Sequence, residues 1–319
     1  ISPELAEEIA DKDKPSHKLM PIRVKSACGD SVSLPAAVLP VLKLGGVNFE
    51  DISVAIYDTA PLSAHLSVKI DGILGFPLFR HNLLTLDYPQ SRIVLAPSDS
   101  VANVPGTPIQ YTTKHRTPII PVQIGEYTVS VLIDSGSDAA FNLHPDLRDI
   151  PYTQPPRPIA FVGTLTGNHT LQVTRLTQSL SFAGQTFPTP IVHITDELTS
   201  IGGEILKHFS LTFDQVRSQV SFQRDSRKPI MQSSLRGTGL HFRKTPAYWR
   251  VVNIVPDSPA SAAGLRLGDL VSRLNGESVE HWDIASYDQL LAESSEIIYT
   301  LLQGTEESSI TLPVSELVP

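Results

Sequence analysis

The stretch Asp71-Gly-Ile-Leu-Gly-Phe-Pro-Leu-Phe-Arg-His-Asn-Leu-Leu-Thr-Leu-Asp87 returns, altered but in register, as Thr199-Ser-Ile-Gly-Gly-Glu-Ile-Leu-Lys-His-Phe-Ser-Leu-Thr-Phe-Asp214. At a spacing of 127 residues Gly75 meets Gly202, His81 meets His208, Thr85 meets Thr212 and Asp87 meets Asp214. Upstream, Leu44-Gly-Gly-Val-Asn-Phe49 and the run to Asp58 match Phe182-Ala-Gly-Gln-Thr-Phe187 and the run to Asp196, now 138 residues apart. Further upstream, Ser2-Pro-Glu-Leu5 matches His144-Pro-Asp-Leu147 at a spacing of 142. Three blocks in one order, with slowly drifting spacing, describe a fold of about 100 residues used twice with different loop lengths.

Each copy reads as β structure. Val47 to Tyr57 and Gln185 to Thr195 carry β-branched and aromatic residues in rough alternation, as half-buried strands do. Gly45-Gly46 and Ala183-Gly184 sit where hairpin turns belong, and Tyr88-Pro-Gln90 separates two further strands. The same hairpin is expected around Gln215 to Phe222. A mainly β protein is therefore expected before about residue 230.

The second copy contains the one acidic motif with chemical promise. A strand beginning near Ile119 leads through Val131-Leu-Ile to Asp134-Ser135-Gly136. Glycine after such a turn gives the backbone room to bend, and a carboxylate at the turn is presented outward. Asp-Ser-Gly alone is also a common turn sequence. Its context distinguishes it: downstream lie Ser200-Ile201-Gly202 in this copy and Ile73-Leu74-Gly75 in the other.

Over residues 1–224 these motifs resemble the two-lobed pepsin-like and retropepsin-like aspartic peptidases. In that family a hydrophobic pair and a glycine pack beneath each Asp-Thr/Ser-Gly loop, and this chain departs from the pattern at Ser200. The resemblance implies two duplicated β lobes and a pair of catalytic carboxylates. Two such groups held close cannot both ionise, so one keeps a proton while the other activates water against a peptide carbonyl. Asp134, with Ser135 and Gly136, takes the catalytic position, and Ser135 would hydrogen-bond across to the opposite loop. By the repeat, the partner of Asp134 falls nine residues before Ile1. Because Ile73-Leu74-Gly75 is intact, an upstream segment that was cleaved or left out is favoured over a lobe that never had one. Asp58-Thr59-Ala60 imitates the signature, but the repeat aligns it with Asp196-Glu197, well after the loop position. Asp138 reads as a polar group of a helix or turn rather than an acid in the mechanism. The family covers its cleft with a β-hairpin; Gly163, Thr164 and Gly167 mark that flap in the second lobe and Ser26 to Ser31 in the first, though both could be ordinary hairpins. Neither has the tyrosine that many pepsins place there.

After Arg224-Asp-Ser-Arg-Lys228 the composition changes. Gly237-Thr238-Gly239-Leu240, Trp249 to Val255, Ser258-Pro-Ala260, Gly268-Asp269 and Asn275-Gly276 follow in an order that resembles bacterial PDZ domains over residues 233–315. Ser258 would cap a short helix with proline in its first turn, Asn275-Gly276 would close a tight turn, and Ile284, Tyr287, Leu290 and Leu291 have helical spacing. The resemblance implies that the backbone of Gly237 to Leu240 holds a peptide's C-terminal carboxylate while the peptide adds a strand. A domain that only packs on its neighbour remains the alternative.

The expected organisation is a first lobe over residues 1–100, a second over 101–226 and the PDZ domain over 232–319. A formal charge of −8 without basic clusters argues against nucleic acid. Nothing approaches the roughly 18 uninterrupted apolar residues of a membrane span. One cysteine, Cys28, excludes an internal disulfide and a cysteine-rich metal site, and no histidine spacing fits a metal, so no cofactor or metal is expected. The expected function is aspartic endopeptidase action on protein or peptide substrates. The alternatives are a catalytically inactive peptide-binding scaffold, or two chains that each supply Asp134. The resemblance alone implies a periplasmic or secreted location.

Overall fold

The computed structural model describes residues 1–9, 20–25, 31–66, 68–99, 104–112, 117–147, 149–164, 167–195, 198–232, 234–245 and 247–318. The protein is mainly β, with several lobes and a PDZ domain at its C-terminus. By packing, these residues form two units: Ile1–Ile119 with Phe209–Gln223, and Ile120–His208 with Arg224–Pro319.

The first unit opens with α1 (Pro3–Ile9), followed by the hairpin β1 (Ile22–Lys25) and β2 (Ser31–Leu34). A longer hairpin follows, β3 (Ala36–Leu44) and β4 (Val47–Ala55), closed at Gly45-Gly46. Helix α2 (Ala60–Leu66) comes next; the Asp58 carboxylate accepts a bond from the Ala60 amide, so this imitation of the signature is a local turn that leads into a helix. A 3-10 turn, Phe76–Phe79, leads into β5 (Asn82–Asp87), β6 (Arg92–Pro97) and β7 (Thr107–Gln110).

In the second unit β8 (Ile119–Ile124) turns at Gly125 into β9 (Tyr127–Ile133), which runs to Asp134 and on to β10 (Phe141–Leu143). The hairpin β11 (Arg157–Thr164) and β12 (Gly167–Arg175) is followed by a second, β13 (Leu180–Phe182) and β14 (Gln185–Phe187), then β15 (Ile191–Ile194) and β16 (Ser200–Ile201). Helix α3 (Gly203–Leu206) leads into β17 (Ser210–Asp214) and β18 (Gln219–Gln223), which belong to the first unit. The single strand expected from Gln185 to Thr195 is two, because Pro188 and Pro190 cannot donate to a ladder. Together β8 to β16 make a nine-stranded sheet ordered β11-β12-β15-β10-β16-β9-β8-β13-β14.

The repeat is visible in the first unit as a local two-fold. Its five-stranded sheet runs β6-β5-β17-β18-β7, and β5 pairs antiparallel with its own repeat copy β17. The register places Thr85 opposite Thr212, with their hydroxyls 2.9 Å apart. Two residues along each strand, the buried Asp87 binds Arg92 at 2.8 Å and the buried Asp214 binds Arg217 at 2.6 Å. The 3-10 turn Phe76–Phe79 and α3 are likewise 127 residues apart. The copies diverge at their starts: Pro3–Ile9 is helical, whereas the matching Pro145 to Leu147 is a turn with Leu147 N–H bonded to His144 O at 3.1 Å.

The C-terminal domain begins with β19 (Arg236–Gly237) and continues through β20 (Leu240–Lys244), β21 (Trp249–Ile254), α4 (Pro259–Ala262), β22 (Leu270–Leu274), β23 (Glu277–Ser278), α5 (Ile284–Glu293), β24 (Glu296–Gln303), β25 (Glu306–Pro313) and β26 (Ser315–Glu316). Ser258 caps α4 by accepting the Ser261 amide, and Asn275-Gly276 turns with φ of 48° and 84°. Trp249, Val251, Val271, Leu274, Ile297 and Tyr299 fill its core. Among the described residues no helix is long and apolar enough to cross a membrane.

Candidate functional site

The loop that carries Asp134 is held from below by residues almost seventy positions away. Strand β16 lies between β9 and β10: it pairs parallel with β9, Ser200 beside Leu132 and Ile201 beside Ile133, and antiparallel with β10. The Asp134 amide donates to Ile201 O at 3.0 Å. Past Ile201 the Gly202 amide donates to Ala140 O at 3.1 Å and the Gly203 amide to Ser137 O at 2.6 Å, so the start of α3 satisfies the loop's own carbonyls. Gly202 is required for closeness rather than for its dihedral: a Cβ there would lie 2.3 Å from Ala139 O.

With its backbone fixed, Asp134 is half-buried at the turn while Ser135 and Gly136 are exposed. One carboxylate oxygen, Oδ1, accepts the Gly136 amide at 2.9 Å, and a Cβ on Gly136 would sit 3.3 Å from the same oxygen. Gly136 has no positive φ. Its value is therefore room beside the carboxylate, a different reason from the backbone bend expected of it.

The departure at Ser200 has a physical account that sequence reasoning missed. Ser200 is 3% exposed, and its hydroxyl accepts from Asn142 Nδ2 at 3.0 Å. The same amide nitrogen reaches Ser137 Oγ at 3.2 Å. A polar tether thus replaces the apolar contact and ties three segments of the loop together. Asn142, three residues into no obvious motif, gave only the hint of a polar residue between Phe141 and Leu143. Beside it in register, His193 of β15 is pushed below its usual pKa by burial, with Asp138 and Glu204 acting in the opposite direction. Asp138 itself is exposed.

Gly163, Thr164 and Gly167 fall on the facing ends of β11 and β12, Gly163 opposite Asn168 and Thr164 opposite Gly167. Leu165 and Thr166 at the tip lie outside the described residues, as do 26–30 of the first-copy hairpin expected at Ser26 to Ser31, with Cys28 among them.

In the C-terminal domain, Gly237 ends β19, Leu240 begins β20, and Gly239 turns between them at φ 88° with Ser258 against its α-carbon. The Thr238 and Gly239 carbonyls accept from Ala260 and Val255 amides, at 2.9 and 2.8 Å. The Thr238 side chain faces inward, 1% exposed, and bonds Tyr299 OH at 2.9 Å, which in turn meets Tyr287 OH at 2.8 Å. Burial pushes the Tyr299 phenol up to about 12 and also holds Tyr287 well above its usual value. Gly237, Thr238, Gly239 and Leu240 are all buried, so the Thr238 hydroxyl serves the domain's interior. Strand β20 ends its sheet, and Phe242 packs edge-on to Tyr287 of α5 at 5.6 Å, which brings β20 against α5. Among the described residues, no group of three or more His, Cys, Asp or Glu could hold a metal ion.

Residues 250–303 match the PDZ domain family. Comparison with curated proteins gives no match. Among solved structures, a PDZ domain protein from Parabacteroides distasonis is 17% identical over 26% of this chain and 21% of that chain, with a TM-score of 0.24. The PDZ domain of a carboxy-terminal protease from Vibrio cholerae, in complex with peptide, is 22% identical over 26% of this chain and 96% of that one, TM-score 0.23. EIAV protease with a bound inhibitor is 20% identical over 30% of this chain and 90% of its own, TM-score 0.26.

Proposed function

We propose that this chain carries one half of the carboxylate dyad of an aspartic endopeptidase, with Asp134 as the catalytic group and with protein or peptide substrates. The observation that supports it best is the mounting of Asp134: a half-buried carboxylate on a loop whose backbone is bonded to Ile201, Gly202 and Gly203 and whose Asn142 is bonded to Ser200. In this reading the lobes span residues 1–100 and 101–226, and the second carboxylate belongs to the matching loop of the first, at a register position ahead of Ile1. One carboxyl holds a proton and polarises the scissile carbonyl; the other takes a proton from the attacking water. The β11–β12 hairpin serves as flap, excluding water from the reacting groups. The PDZ domain, residues 232–319, takes a peptide C-terminus on the Gly237–Leu240 backbone, and the protein works outside the cytoplasm.

The test is the identity of every polypeptide in the natural protein, by intact mass and N-terminal sequencing. A segment with Asp-Thr/Ser-Gly, joined ahead of Ile1 or bound to the chain, is expected. Its absence would leave Asp134 without a partner and turn the reading toward a peptide-binding scaffold.

A further inference from the structure

The C-terminal domain grips the base of the β11–β12 hairpin. Hairpin residues Ile159 and Val173, 5% and 1% exposed, share a buried cluster with Ile191 of β15 and with Val255 and Val318 of the C-terminal domain. Leu235 and Leu317 pack around it. The β11–β12 ladder has a bulge between Pro158 and Ala160, so Ile159 drops out of the ladder. Its carbonyl accepts Asn253 Nδ2, from β21, at 2.7 Å. A bulge carbonyl left unpaired inside this contact would be costly, and the neighbouring domain supplies its partner.

The same base is gripped at a second point. Arg175, the last residue of β12, donates to Glu316 Oε1 at 3.0 Å and to Val318 O at 3.2 Å, while its other nitrogen reaches Thr189 O at 3.0 Å. Gln232, in the connection between the domains, bonds both the amide and the carbonyl of Ile191 at 2.8 and 2.6 Å, like a neighbouring strand. The residues that grip also shape the carboxylate loop. Val255 N–H donates to Gly239 O at 2.8 Å, and Leu317 N–H to Leu235 O at 2.8 Å. A Cβ on Gly237 would lie 3.2 Å from Leu317 Cδ1.

We propose that the PDZ domain is a clamp that sets the mobility of the β11–β12 hairpin, and that the Gly237–Leu240 loop is coupled to that hairpin through Val255 and Leu317. The consequence for catalysis rests on reading the hairpin as a flap; the clamp itself does not. Coupling of this kind is reciprocal, so a change imposed at the loop is felt at the hairpin.

Native-state hydrogen exchange on residues 1–319 tests both halves. Asn253→Ala removes the bulge's partner and is expected to speed exchange across 157–175 at least fivefold, while 119–133 stay within twofold. If Asn253→Ala does not fold, Glu316→Gln, which changes one exposed carboxylate, carries the same local prediction at about twofold. Thr238→Val cuts the loop's bond to Tyr299 and is expected to speed the hairpin about threefold as well. Hairpin exchange unchanged in Asn253→Ala, or in Glu316→Gln should that be the variant that folds, overturns the clamp. A response to Thr238→Val that leaves residues 157–175 untouched overturns the coupling to the loop. Neither readout uses Asp134, so a chain without peptidase activity can still be shown to have the clamp.

Discussion

Ile201 and Leu74 occupy the same place in the two copies of the repeat, yet Ile201 is 0% exposed and Leu74 49%. Next to them Ser200 is 3% exposed and Ile73 is 70%. The tripeptides are nearly alike; the surroundings differ. Ile201 lies between β9 and β10, and its glycine abuts the carbonyls of the aspartate loop. Around Gly75 a Cβ would meet only Pro77 Cδ, at 3.7 Å. A short apolar motif is therefore buried by the strands that flank it, and among the described residues only the second copy shows them.

That contrast predicts its own largest effect. Gly202→Ala forces a methyl against two backbone carbonyls and should cost about 3 kcal/mol, whereas Gly75→Ala should change stability by less than about 0.5 kcal/mol. Chemical denaturation of both variants measures the difference, and equal costs would mean that the two braces are equivalent after all. Asn142→Ala strips Ser200 and Ser137 of a buried donor and should cost about 2 kcal/mol. Among the described residues no such tether reaches the apolar Ile73, so the effect is expected in the second copy.

Where the copies meet, they should behave alike. Thr85→Val and Thr212→Val each break the hydroxyl pair on the local two-fold, so a double-mutant cycle should return about 1 kcal/mol of coupling with similar single costs. The smallest effect concerns pH. Burial lowers the pKa of His193, His208 and His241, so near and below pH 6.5 the unfolded chain binds protons that the folded chain refuses. Stability contributed by these groups is therefore present above pH 6.5 and declines as pH falls through that value toward the depressed folded pKa. His193→Gln should flatten part of that slope in melting temperatures taken between pH 7.5 and 5.

Much of this was legible in the sequence because it is local or repeated. The turns at Gly45-Gly46 and Ala183-Gly184, the hairpins ending in Asp87 and Asp214, and the capped helix after Ser258 each follow from neighbouring residues. The brace beneath Asp134 was legible because two copies of it could be compared. What escaped depends on tertiary meetings that no spacing announces. Asn142 meets Ser200 across 58 residues, and Arg175 meets Glu316 across 141. Ile159, Val255 and Val318 are unremarkable alone and become a cluster only when the hairpin and the C-terminal domain pack. Thr238 looked like part of a binding loop, yet its hydroxyl belongs to a buried chain of tyrosines.

The most direct test of the account is peptide-bond cleavage by the natural protein, isolated from its own cells with whatever polypeptides it retains, against the same protein carrying Asp134→Asn. Products of a denatured protein substrate would be followed by mass spectrometry. The account predicts cleavage by the natural protein and at least a thousandfold loss in the variant at an unchanged melting temperature. Equal cleavage by the two, or none by the natural protein, would contradict it.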